Sequence, residues 1–179
     1  MPLIRAQQPP PAGVRDKLRI HASRAFGPLS LVGSAAYAGL LQELDAPREW
    51  GQGAAGYGRR LASNVGFTAI RNAFAFTLDA TLHEDPRYIR VGKGRLWPRV
   101  KYAVRETILT RTDSRGHTFA VWRFGSAYGA AFLSNTWYPD RLNTVGLGFA
   151  QGSATIGTDV LTNLAYEFWP DVRKKILRR

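Results

Sequence analysis

Residues 56–83 read GYGRRLASNVGFTAIRNAFAFTLDATLH, and the folding of this stretch decides the architecture around it. Leu61, Val65, Ala69, Asn72/Ala73, Phe76 and Ala80 recur with a period close to 3.6, which predicts one long helix over Gly56–His83. Gly58, Ala62 and Gly66 then fall on a single face, four residues apart. A face without side chains lets another backbone come close, which is how helices associate where the hydrophobic effect is weak, as in lipid. Pro86 closes the stretch, because the residue before a proline avoids helical dihedrals.

The same small-residue spacing recurs downstream. Gly125 and Gly129 begin a second row, and Gly148 and Gly152 form a third, with Gly146, Ala150 and Ala154 beside it. Residues 25–42, 124–139 and 142–158 carry no charge. Gly27-Pro28 punctuates two early helices, Arg15–Phe26 and Pro28–Leu44. Pro98 opens a helix over Arg99–Leu109, and further helices are predicted at Phe119–Tyr138 and Thr144–Trp169. Pro170 is expected to end the last of these, with Asp171 capping a short terminal helix. The expected fold is an all-α bundle of about five to six helices with glycine- and alanine-rich contacts. It occupies residues 15–179 as one domain, behind a flexible proline-rich leader at 1–14 that contains Gln7-Gln8-Pro9-Pro10-Pro11. A small outer-membrane barrel is the competing architecture, since Thr118–Phe124 alternates in polarity. The remaining segments do not alternate, and Asn-Gly and Asp-Gly hairpin signals are absent, so the helical reading is preferred.

Twenty-five Lys and Arg against 13 Asp and Glu give the 179-residue chain a net charge of +12. The basic residues gather at Arg87–Arg115 and Arg173–Arg179, an excess suited to a polyanion or an anionic bilayer. Arg87, Arg90, Lys93, Arg95, Arg99, Lys101, Arg105, Arg173, Lys174, Lys175, Arg178 and Arg179 are the expected contacts to such a surface. Trp97, Trp137-Tyr138 and Phe168-Trp169 stand near them in the manner of an interfacial aromatic belt. The uncharged stretches are interrupted by polar residues and glycines, and the mean hydropathy of −0.23 is low for a protein with many spans. Met1-Pro2-Leu3-Ile4-Arg5 contains no apolar core of a secretory signal.

Signals of chemistry are sparse. The absence of cysteine excludes disulfides, thiolate metal sites and a cysteine nucleophile. Asp79 and His83 lie four apart on one helix face, with Glu84 and Asp85 adjacent and Asp113 and His117 available from a later turn. They are the only candidates for a His/carboxylate site, although the paired histidines of a zinc protease are missing. Terminating the helix is the preferred role for His83. Gly51, Gly53 and Gly56 match the form of a dinucleotide loop but lack its preceding strand, so the start of a helix explains them better. Gly125-Ser126-Ala127-Tyr128-Gly129 does not have the spacing of a nucleophile elbow. No cofactor or metal is expected.

The order of motifs GQGAAGYGRR (51–60), HEDPRY (83–88), RTDS (111–114), SNTWYP (134–139) and EFWPD (167–171) resembles an uncharacterised family of bacterial proteins, over residues from about 15 to the C-terminus. The resemblance implies a helical, exported, envelope-associated protein and brings no established activity. The expected function is therefore structural or interaction-based: a membrane-associated homo-oligomer whose partner is an anionic membrane surface or envelope component. The alternatives are an enzyme built on Asp79 and His83, and a nucleic-acid or polyanion-binding protein using Tyr88, Trp97 and Tyr102 among the basic residues.

Overall fold

A computed structural model describes residues 9–177, and in it the protein is a mainly helical bundle. The helices among those residues are α1 (Val14–Phe26), α2 (Pro28–Glu43), α3 (Gly53–Thr81), α4 (Leu96–Ile108), α5 (Val121–Asn135) and α6 (Val145–Leu177). Three short strands, β1 (Glu84–Asp85), β2 (Leu109–Thr112) and β3 (His117–Phe119), form an antiparallel sheet in the order β1-β2-β3. The long helix read from residues 56–83 is α3, and it is the hub. It packs against α1, α2 and α5, while α6 covers α5 and α4.

Local chemistry explains the helix boundaries. Gly27 turns the chain between α1 and α2, and Pro28 occupies the first position of α2, where no amide donor is required. Gly51 and Gly53 have φ of 70° and 73°, conformations that disfavour a Cβ. A Cβ on Gly56 would run into the Gly51 carbonyl, whose carbon would be 2.7 Å away. The glycine triplet thus shapes the start of α3. Arg60, fully buried, fastens that turn by donating to the carbonyls of Ala46 (2.9 Å), Pro47 (2.9 Å) and Gly51 (2.6 Å) and to Gln42 Oε1 (2.7 Å).

The two ends of the fold depart from the expected boundaries in different degree. Ala12 is buried and α1 begins at Val14, one residue before the expected Arg15; residues 1–8 of the expected leader lie outside the described part. Pro170 does not end the last helix but lies inside α6. Proline removes one intrahelical bond, and Arg99 of α4 braces the helix on both sides of it. Arg99 Nη2 donates to the Glu167 carbonyl and Nη1 to Asp171 Oδ2, both at 2.7 Å. Asp171 is therefore a partner of Arg99 rather than the cap of a separate helix.

The distribution of side chains is inverted relative to a water-soluble bundle. Among the described residues the buried apolar side chains are nine alanines, Trp122, Pro47 and Pro86, whereas Lys17, Arg60, Asp79, Glu84, Glu106, Arg99, Arg123 and Glu167 are all buried. Outside stand Leu29 (84% exposed), Val32 and Leu40 on α2, Leu44 just beyond its end, and Val145, Phe149, Leu161 (67%) and Trp169 on α6. Charged residues are rarely buried unless paired, so the interior must supply partners.

Candidate functional site: a charged interior and a basic, aromatic pole

The first group of interior partners lies between α1 and α3. Lys17 and His21, four residues apart on α1, face α3. His21 Nε2 is 2.7 Å from Asp79 Oδ2, and its Nδ1 is 3.1 Å from Asn72 Oδ1. Lys17 Nζ donates to the Asp79 carbonyl and to Asp113 Oδ2, both at 3.0 Å. Asp79 therefore has a histidine partner, but it is His21 and not His83. The structure does not bring Asp79 and His83 together. Asp79 is fully buried, while His83 is exposed beyond the end of α3, 3.6 Å from Asp113. His83 has a φ of 55° just after the C-cap Leu82, the left-handed position that terminates many helices. Among the described residues, no group of three or more His, Asp or Glu side chains is placed to hold a metal ion.

Next to this group, Glu84 on β1 caps α5: its Oε2 accepts the Trp122 N–H at 2.9 Å. Burial pushes the Glu84 carboxyl above the usual range, against the pull of the Trp122 and Val121 amides. Glu106 is likewise raised by burial, opposed by Arg111, His117, Arg105 and Arg123, and its Oε1 has no hydrogen-bond partner among the described residues.

A second group ties α6 to α4 and to the loop before α4. Glu167, fully buried, accepts from Arg99 Nε (2.7 Å), the Gly92 N–H (2.9 Å), the Val91 N–H (3.0 Å) and the Tyr88 hydroxyl (2.9 Å). Burial alone would raise this carboxyl. The hydrogen bonds from Arg99, Gly92, Tyr88 and Val91 outweigh it and hold the group below its ordinary value. Asp171 is held low by its hydrogen bond from Arg99, with Arg90 and Lys174 adding to the effect. The 87–95 loop, the start of α4 and the end of α6 thereby converge on one pole.

That pole contains part of the basic set expected to meet an anionic surface. Arg90, Lys93, Arg95, Lys101, Arg173 and Lys174 are exposed and Arg105 is half-buried. Leu96, Trp97, Trp169 and Val172 are exposed among them, and Lys101 Nζ lies 5.7 Å over the Trp97 ring. Val100, Val104, Ile108 and Leu109 continue the apolar surface of α4 as an open groove of about 560 Å³. Two expected contacts are spent inside the protein. Arg99 is buried on Glu167, and Arg87 is half-buried on Asp85 with Nη2 2.6 Å from Oδ2. Arg178 and Arg179 lie outside the described residues, as does the side chain of Lys175.

The glycine rows divide. A Cβ on Gly125 would lie 2.8 Å from Leu78 Cδ1, and one on Gly129 3.0 Å from the Phe74 ring, so these two glycines admit α3 side chains. Gly148 and Gly152 of α6 receive Phe132 and Tyr128 of α5 in the same way. The contact is a ring or methyl seated on bare helix, not backbone against backbone as expected from the spacing. Gly58 and Gly66 meet nothing within 4 Å. Ala62 and Gly66 instead line an outward groove of about 670 Å³ between Trp50 and Trp137.

Comparison with protein-family models, curated proteins and solved structures finds no match to this chain. Sequence reasoning missed Lys17, His21, Arg60, Arg123 and Glu167. For α1 a partial signal existed: Lys17, His21 and Ala25 recur every four residues and so share a face, although Val14 and Leu18 on the same side of the helix stay exposed.

Proposed function

We propose that this protein is a non-enzymatic, membrane- and envelope-associated structural protein that meets lipid through its apolar outer faces and anionic head groups through its basic pole, as an assembly of several copies. The observation that carries the proposal is the inverted arrangement of its side chains. Burying a large aliphatic or aromatic side chain is worth about 1.5–3 kcal/mol, yet α2 and α6 turn theirs outward while alanine and paired charges fill the interior. Ionisable residues facing inward and pairing with one another are what a low-dielectric exterior demands. An apolar patch of this extent marks an interaction surface.

No described helix is long and apolar enough to cross a membrane; the proposal concerns contact through an outward face. Arg90, Lys93, Arg95, Lys101, Arg173 and Lys174 each contribute about 1 kcal/mol near an anionic surface, and Trp97 and Trp169 suit the interfacial zone. The motif resemblance to exported, envelope-associated proteins supports the same compartment. The open groove at Ala62 and Gly66 supports association between copies.

Vesicle flotation of the full chain tests the reading. The protein is expected to float with vesicles containing phosphatidylglycerol, to float less with pure phosphatidylcholine, and to lose the difference when Lys93, Arg95 and Lys101 are replaced by Gln. Retention in the dense fraction with both lipids would refute it.

A further inference from the structure

Two guanidinium groups, from α3 and α5, meet one carboxylate of α6, and a third from α1 lies within electrostatic reach of them. Arg71 Nη2 lies 2.5 Å from Asp159 Oδ2, and Arg123 Nη1 lies 3.5 Å from the same oxygen. Arg24 completes the set from the last turn of α1. Its Nη2 donates to the Pro86 carbonyl at 3.0 Å, and its Cζ stands 5.9 Å from the Trp122 ring, whose neighbour on the other count is Arg123 Cζ at 4.5 Å. Three positive charges against Asp159 leave a net charge of +2. Asp79, the next carboxylate in reach of Arg24, is already engaged by His21.

Arg123 makes the imbalance acute. It is 7% exposed, its Nε has no hydrogen-bond partner, and its only ion contact among the described residues is the long one to Asp159. A guanidinium carries five N–H donors in a rigid fork. Leaving Nε unmade in a desolvated position costs free energy that Lys17, Arg60 and Arg99 avoid. Desolvation, reinforced by Arg24 and Arg71 and opposed by Asp159, lowers its pKa to about 10. The cluster is not sealed: Arg24 and Tyr166 are exposed at its edge.

We propose that Arg24, Arg71 and Arg123 form a binding site for a phosphate monoester or inorganic phosphate. Guanidinium forks match the oxygens of a phosphate, and a dianion, the dominant charge of a phosphomonoester above its second pKa of about 6, balances the net charge of +2. A carboxylate or a chloride would balance only half. The site shares no residue with the basic pole and needs no membrane, so it stands or falls independently of the lipid-contact reading.

The test is thermal unfolding of the full chain titrated with sodium phosphate, against sodium chloride at matched ionic strength. Phosphate is expected to raise Tm beyond the chloride control. Arg24→Gln is expected to abolish that excess, and Lys101→Gln, which removes the same charge at the pole, to retain it. Asp159→Asn removes the competing carboxylate and is expected to shift the titration to several-fold lower phosphate. A short-chain phosphatidic acid below its micellar concentration distinguishes the source: saturation at far lower concentration than phosphate assigns a lipid head group, and equal saturation assigns the free ion. A Tm that responds equally to phosphate and chloride would overturn the proposal, as would an equal phosphate response in Arg24→Gln and Lys101→Gln.

Discussion

Replacing Gly152 by Ala tests whether α5 and α6 are joined by rings seated on bare helix. In a helix interior, Gly→Ala gains up to about 1 kcal/mol from propensity alone. Gly157, five residues further along α6, meets nothing within 4 Å, so Gly157→Ala is expected to show this gain. At Gly152 the new Cβ would lie 2.6 Å from Tyr128 Cε1 and 2.9 Å from Cγ. The ring cannot simply swing aside, because its hydroxyl lies 3.0 Å from Ser153 Oγ and its edge packs on Phe149. Overpacking of this kind costs about 1–3 kcal/mol, which cancels the gain or exceeds it. The two variants should then differ by about 1–3 kcal/mol, and at roughly 2–4 °C per kcal/mol for a chain of this size their Tm values should separate by at least about 2 °C. Thermal unfolding followed by far-ultraviolet circular dichroism reads the difference. In a Tyr128→Ala background Gly152→Ala is expected to become as stabilising as Gly157→Ala. Equal Tm values for the two variants with Tyr128 in place would refute the ring-on-glycine account.

Two further outcomes follow from the same geometry. The Glu106 carboxyl is raised by burial, so its contribution to stability is full below its unfolded value and is lost as pH rises through the folded one; Glu106→Gln is expected to match the parent in Tm near pH 4 and to exceed it progressively toward pH 7, and parallel profiles would count against the assignment. Gly66→Leu places its side chain into open space within the chain, so the circular dichroism should be unchanged while the mass by light scattering drops from assembly toward single copies; an unchanged mass would remove the Ala62–Gly66 groove as the contact between copies.

Helix positions were legible because proline and glycine punctuation and a 3.6 period are local signals. Gly27-Pro28 bounds real helices, whereas α3 ends at Thr81, ahead of β1 and Pro86. Pro170 misled because the effect of a proline depends on what braces it, and Arg99 is 71 positions away in the chain. The sheet was illegible for a related reason: two residues of β1 and three of β3 carry no periodicity, and their pairing depends on the ends of α3 and α4 being brought together. Periodicity also states which residues share a face without stating where the face points. Asp79 and His83 shared a face by spacing, but α3 ends at Thr81, and Asp79 found its histidine on α1. The basic pole was legible as charge density. That Arg99 would be spent on Glu167 while Lys101 stayed exposed was not, since the two differ only in their angle around α4.

Two features visible separately in the sequence, small residues in the helices and an excess of arginine, have one physical connection in the fold. Alanine does not fill the space between helices, and long charged side chains reach across it. Lys17 runs from α1 to α3 and to Asp113, Arg99 from α4 to α6, and Arg60 from α3 to the turn before it. Each is an aliphatic stem with a paired head, and so serves as core filling and as a tie between elements. Such ties tolerate an apolar exterior because their charges are neutralised inside, whereas water outside would leave Leu29, Leu161 and Trp169 uncompensated. By that logic every buried cation should end on an anion or a carbonyl. Lys17, Arg60 and Arg99 do so within 3.0 Å; Arg123 reaches Asp159 only at 3.5 Å and leaves its Nε unpartnered, and the proposed oxyanion would complete its environment.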